Sequence, residues 1–198
     1  NYRGDIVKDN YSDFNDKFYG NPDVMASNKS AMHGTHVSGI IGAARKNGLG
    51  IDGIADNVKI MMIRAVPDGD EYDKDIALGI RYAVDNGAKV INGSFGKDFS
   101  PHKKWVYDAI KYAAKKDVLI VHAAGNDAKD LDAENNFPTD SDDKKTEFVD
   151  NLITIGALNF ESGDKLVARF SNYGKINVDV FAPGVKIYAT APNNSYKY

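Results

Sequence analysis

His33 and His36 stand three residues apart in the stretch HGTHVSGIIGA, residues 33–43. Imidazole is the side chain that most readily moves a proton near neutral pH, and it is also a common metal ligand. The apolar residues that follow recur at helical spacing, which places both rings in the first turns of one helix. That end of a helix disfavours cations, and a general base must start neutral. The pair therefore suits a base and a companion, with two blander readings beside it. One is a metal pair, although HGTHVSG holds no glutamate to complete a zincin-type site. The other is a capping and core role for both rings. Gly39 and Gly42 extend the stripe. Each costs the helix about 1 kcal/mol in propensity, which close packing against a neighbour would offset.

The frame that must hold these residues is read from the apolar runs. Residues 1–31 are polar and read as irregular surface loop. Val58–Val66 (VKIMMIRAV) has a buried-strand pattern, and Lys89–Phe95 (KVINGSF), Val118–Ala123, Leu152–Leu158 and Val178–Phe181 read as further strands. Asp73–Asn86 carries apolar residues at helical spacing, with Gly87 as a stop. Ser100–Lys116 reads as another helix, with Ser100 as N-cap and Pro101 in the first turn. Asp127–Asp150 is acidic, polar and long, and reads as a solvated surface excursion. Continuous apolar strands alternating with helices imply an α/β chain with a parallel sheet covered on both faces.

In such sheets ligands bind beyond the carboxyl ends of the strands. PDGDEY follows VKIMMIRAV, GSFG follows KVIN, and AAGN follows VLIVH. Each puts glycine and small residues where backbone must approach something closely. Three such ends suggest a groove lined by exposed backbone, suited to an extended peptide that adds main-chain hydrogen bonds.

Composition narrows the partners. The chain has 198 residues, a net charge of −3 and no cysteine. No basic footprint for nucleic acid is present, and no apolar run reaches the roughly 18–20 residues of a membrane span. Thiol chemistry is excluded. No glycine-rich phosphate loop follows any strand, which argues against a nucleotide-binding domain.

Taken in order, the blocks resemble the subtilisin-like serine proteases, the subtilases. His33–Ala43 resembles their histidine block, Gly53–Ala55 with Val58–Arg64 the strand after it, and Val90–Gly96 the substrate-binding strand. Val121–Asn126 resembles the AAGN oxyanion segment, and FSNYG (170–174) with FAPG (181–184) the approach to the serine. The resemblance implies one subtilase-type peptidase domain over 1–198, a three-layer α/β sandwich with a mostly parallel central sheet, incomplete at both ends. It implies His33 as catalytic base, His36 as a structural histidine, and Asn126 as donor to the oxyanion. Ser94, Phe95 and Gly96 would form one groove wall, Ala123, Ala124 and Gly125 would line the primary pocket, and Gly69 and Asp70 would flank the other side. The implied substrate is an extended peptide or protein, and the implied location is secreted or the cell envelope. Calcium accompanies the family, although no ligand constellation here fixes a metal site.

The family's triad runs Asp, His, Ser along the chain. No DTG- or DSG-type segment precedes His33, and Asp5, Asp9, Asp13, Asp16 and Asp23 all lie in loop-like sequence. No GTSMA-type segment occurs, and Ser195 lacks its glycine and small-residue context. Residues 1–198 are therefore expected to be an interior piece of a subtilase, inactive alone. The alternative is a peptide-binding pseudoprotease. Gly93 stands where a large residue is usual in the family, predicting a packing deficit of about 2–5 kcal/mol, and Asp56 stands where proline is common. Asp68, Asp70 and Glu71 either favour basic or polar side chains near the outer subsites or are a solvated loop with charges at a helix N-terminus.

Overall fold

Four of the five apolar runs pair side by side. The computed structural model describes residues 7–25, 27, 31–66, 69 and 71–198. Its helices are α1 (Met32–Gly42), α2 (Asp73–Asp85) and α3 (Lys103–Lys115). Its strands are β1 (Val90–Gly93), β2 (Leu119–Ala123), β3 (Leu152–Leu158), β4 (Val180–Pro183), β5 (Ala189–Ala191) and β6 (Ser195–Lys197). Two compact units divide them, one of Asn1–Asn21 with Gly69–Val185, the other of Pro22–Asp68 with Lys186–Tyr198.

In the first unit β1-β2-β3-β4 form a parallel sheet in that order, the α/β arrangement expected. Helices α2 and α3 bury Ile76, Ala77, Ile80, Val106, Ala109 and Ile110, one apolar stripe from each amphipathic pattern. Gly156 in β3 carries no side chain because the ring of Phe181 in β4 lies over it. The helix expected from Ser100 begins later, at Lys103, with His102 at the N-cap and no side-chain cap bond. Ser100 does not cap it, because its Oγ donates instead to Asp73 at 2.6 Å.

Residues 8–25 of the polar N-terminal stretch are irregular, as expected, but they do more than coat the surface. Lys74 of α2 is fully buried, and its Nζ donates to the Asn10 carbonyl at 2.8 Å and pairs with Asp16 at 3.5 Å and Asp9 at 3.8 Å. Phe14 stacks on Trp105 at 5.2 Å. The excursion 127–150 holds no regular element and is likewise anchored: Asp132 accepts from Lys175 N at 2.7 Å and from Asn177 N and Nδ2 at 3.0 and 2.9 Å.

The packing deficit expected at Gly93 is absent. A Cβ there would lie 3.3 Å from Phe95 Cε1 and 3.7 Å from His122 Cδ2, so two rings occupy the space a larger residue would take. Restoring bulk should therefore harm the fold: Gly93→Leu is expected to cost about 1–3 kcal/mol by overpacking, read as a lower urea midpoint at unchanged slope.

In the second unit α1 packs closely on its neighbours through its glycines. A side chain at Gly39 would collide with Thr190 of β5, whose Oγ1 donates to the Thr35 carbonyl at 2.8 Å. One at Gly42 would lie 3.0 Å from Val58 Cγ2. The strand expected over Val58–Val66 does not form. Its composition suits a strand, but a strand exists only by pairing, and no ladder partner for it occurs among the described residues. The antiparallel β5–β6 hairpin has no counterpart in the sequence reading. Its turn uses Asn193 and Asn194 at φ 65° and 52°, a conformation asparagine tolerates. Ser195 opens β6 and donates to the Pro192 carbonyl at 2.8 Å.

Candidate active site

β1 and β2 run parallel with Gly93 opposite His122. The segments Ser94–Gly96 and Ala123–Asn126 therefore leave the same end of the sheet on adjacent strands. Asn136 spans them. A Cβ on Gly96 would lie 2.6 Å from its Oδ1 and one on Gly125 would lie 3.6 Å from its Nδ2, while that Nδ2 donates to the Ala124 carbonyl at 2.8 Å.

The Ala123–Asn126 turn is held chiefly by Asn172 of the FSNYG stretch, a side chain with 0% exposure. Its Nδ2 donates to the Ala124 carbonyl at 2.8 Å, and its Oδ1 accepts from Asp127 N at 2.9 Å and Lys129 N at 3.0 Å. Its backbone N–H donates to the Gly125 carbonyl at 3.0 Å. Gly125 has φ 105°, and any Cβ there would strike Asn172. Only glycine meets both demands. The turn leaves Asn126 exposed, and its side chain makes no hydrogen bond to protein among the described residues. Its amide is thus free to donate outward.

The segment Ser94–Gly96 is half-buried, and its middle residue is bonded by a histidine of β2. His122 is 1% exposed, and its Nε2–H donates to the Phe95 carbonyl at 2.8 Å. Because a carbonyl only accepts, the proton sits on Nε2, and Nδ1 carries the lone pair. His122 lines a cavity of about 200 Å³ together with Lys103, Tyr107, Asn136, Thr154 and Asn177. Burial pulls its pKa down from 6.5 to about 4, against the opposing pull of the Phe95 carbonyl. A base with a depressed folded pKa contributes stability that is complete above its unfolded value and lost as pH falls toward the folded one. The wild-type fold is expected to lose about 2–3 kcal/mol from this group between about pH 6.5 and pH 4. His122→Gln, which keeps a donor for Phe95, should flatten that part of the profile in urea titrations.

His33 is the second residue of α1, exposed in its first turn, and makes no side-chain hydrogen bond among the described residues. His36, one turn on, has Nε2 3.2 Å from both the Ile187 and Lys197 carbonyls, which suits a structural ring. Gly69 has φ 86° and open space around it. Asp70 and Asp68 lie outside the described residues. Asp9 and Asp16 are committed to Lys74. Among the described residues no group of three or more His, Asp or Glu side chains is placed to hold a metal ion.

His122, Asn136 and Asn172 are absent from the residues singled out in the sequence. Asn172 lay inside a quoted block, yet its partners are 43 to 48 residues away. Nothing local announces such a bond.

A comparison with known proteins meets this geometry. The profile of the Peptidase S8 subtilase family matches residues 1–198. The thermophilic serine proteinase of Bacillus sp. (strain AK1) is 41% identical over 167 residues, 84% of this chain and 37% of that protein. Thermitase of Thermoactinomyces vulgaris is 32% identical over 195 residues, 96% of this chain and 64% of thermitase. The chain thus spans less than two thirds of the length of either. The crystal structure of a cold adapted subtilisin-like serine proteinase superposes with a TM-score of 0.67 at 28% identity, covering 93% of this chain and 58% of that one. The PagA prenylagaramide maturation protease superposes at 0.69 with 25% identity, over 84% of this chain and 57% of its own. With the parallel sheet, the ordered blocks and a family match along the whole length, the chain belongs to the subtilase family.

Proposed function

We propose that this chain forms the peptide groove and supplies the general base of a subtilisin-type serine endopeptidase acting on extended peptide or protein substrates. The observation that carries the reading is the pair of adjacent parallel strands whose small-residue ends, Ser94–Gly96 and Ala123–Asn126, emerge side by side. Ser94, Phe95 and Gly96 form one wall, Ala123, Ala124 and Gly125 line the primary pocket, and Gly69 flanks the other side. His33 takes the proton from a serine Oγ as that oxygen attacks the scissile carbonyl, and returns it to the leaving amine. Asn126 donates to the oxyanion that forms between the two steps.

Neither an aspartate block of DTG type nor a serine block of GTSMA type occurs within 1–198. Triad members act as a unit, so these residues alone are not expected to cleave peptides. The test compares residues 1–198 with the protein expressed from its full reading frame, using a fluorophosphonate label and casein hydrolysis. Residues 1–198 should stay unlabelled. The full frame should label stoichiometrically and lose hydrolysis on His33→Ala. A full-frame protein that binds peptides but takes no label would instead mark a peptide-binding relic. Stoichiometric labelling of 1–198 would overturn the assignment of the nucleophile to another segment.

A secreted or cell-envelope location is part of the same proposal. It is supported by relatives named the cell wall-associated protease and the minor extracellular protease Epr of Bacillus subtilis, 39% and 33% identical. No helix among the described residues is long and apolar enough to cross a membrane.

A further inference from the structure

We propose that Lys97 is a positioning residue that braces the two sides of the peptide groove, by pairing with Asp73 and donating to the Glu71 carbonyl. The proposal rests on the reading of Ser94–Gly96 and the loop at Gly69 as opposite sides of that groove.

Lys97 follows directly on Gly96. Its main chain exchanges two hydrogen bonds with Phe137, Lys97 N to Phe137 O at 3.1 Å and Phe137 N to Lys97 O at 2.7 Å. Those bonds fasten the end of the wall to the loop that carries Asn136. The side chain then reaches the start of α2. Its Nζ lies 2.7 Å from Asp73 Oδ1 and also donates to the Glu71 carbonyl. Glu71 is two residues beyond Gly69, so one side chain ties the wall to the loop across from it. A lysine stem is flexible, but an ammonium fixed between two acceptors and only 19% exposed is not free to wander.

The brace exceeds what the fold requires at Asp73. That carboxylate, 1% exposed, also accepts from Ser100 Oγ at 2.6 Å and from His102 N at 2.8 Å. It also opens α2, where the helix dipole supports negative charge. Asp73 therefore keeps three sources of support without Lys97, whereas the Glu71 loop loses its tie to the wall. The consequence should fall on the spacing of the groove more than on the stability of the unit.

The test uses the protein expressed from its full reading frame and a peptide long enough to reach both sides of the groove. Lys97→Met should raise KM about tenfold, a loss of about 1.4 kcal/mol of ground-state binding, with kcat and Tm little changed. Lys97→Arg, which keeps the charge and the reach, should recover most of the affinity. The double variant Lys97→Met with Asp73→Asn leaves no buried carboxylate short of a partner. It should fold like the wild type and still show the raised KM. An unchanged KM in Lys97→Met overturns the brace. So does a KM that returns to normal in the double variant together with Tm, because the effect was then structural. A wild-type protein that neither cleaves nor binds peptides overturns the groove reading, and the brace with it.

Discussion

Asn172→Ala is expected to cost the fold about 3–4 kcal/mol, read as a shift in the urea midpoint. The residue has no exposed surface and its side chain makes three hydrogen bonds that span more than forty residues of chain. Each such bond contributes about 1 kcal/mol net, and part-buried amides left without an acceptor add to the loss. Removing Asn172 strands the Asp127 and Lys129 amides, whereas the Ala124 carbonyl keeps its bond from Asn136. Asn172→Asp separates the two directions of bonding. Its oxygen still accepts from the two amides, but an ionised carboxylate faces the Ala124 carbonyl with no proton to give. Most of the loss should therefore appear at neutral pH and recede in acid, as the new carboxyl takes up a proton. A variant with unchanged stability at pH 7 would mean that the Gly125–Lys129 turn holds itself without this side chain.

Asn126→Ala should act on rate and spare the fold. Its side chain is exposed and makes no bond to protein among the described residues, so its removal strands nothing. On the proposed role as oxyanion donor, kcat of the protein expressed from its full reading frame should fall by about 10²–10³, the scale of losing one such donor, equivalent to about 3–4 kcal/mol of transition-state stabilisation. KM should move little, because the oxyanion exists only along the reaction path and not in the bound substrate. Burst kinetics on a chromogenic ester would separate the acylation step from product release. A rise in KM at constant kcat would instead place Asn126 among the groups that hold the ground-state substrate.

The two variants differ in what could be seen from the chain alone. Asn126 sits in a short block at the end of an apolar strand, so its place just past β2 was legible, while its role was read from the family resemblance alone. Leu152–Leu158 was read to the residue, because a strand buried on both faces needs an unbroken apolar run. The helix at Ser100 was displaced because a tertiary partner, Asp73, claimed the hydroxyl that local rules assign to a cap. The strand expected over Val58–Val66 shows the other limit: composition reports what a segment could pair with, not whether a partner is present. The packing deficit expected at Gly93 failed for a related reason, since the rings that fill it come from Phe95 two residues on and from His122 on the next strand. Asn136, Asn172 and Lys97 tie the segments Ser94–Gly96 and Ala123–Asn126 to their surroundings through contacts between distant residues, and such contacts leave no periodic trace.

The run from Val58 to Met62 also matters for how the molecule behaves in company. Its apolar side chains stand 39% to 50% exposed at Val58, Ile60, Met61 and Met62, with no neighbouring strand among the described residues. An apolar segment with open main-chain groups is a template for another copy of itself. Residues 1–198 prepared alone should therefore have a solubility ceiling to which this seam contributes. A single lysine in it would raise that ceiling more than several added elsewhere on the surface.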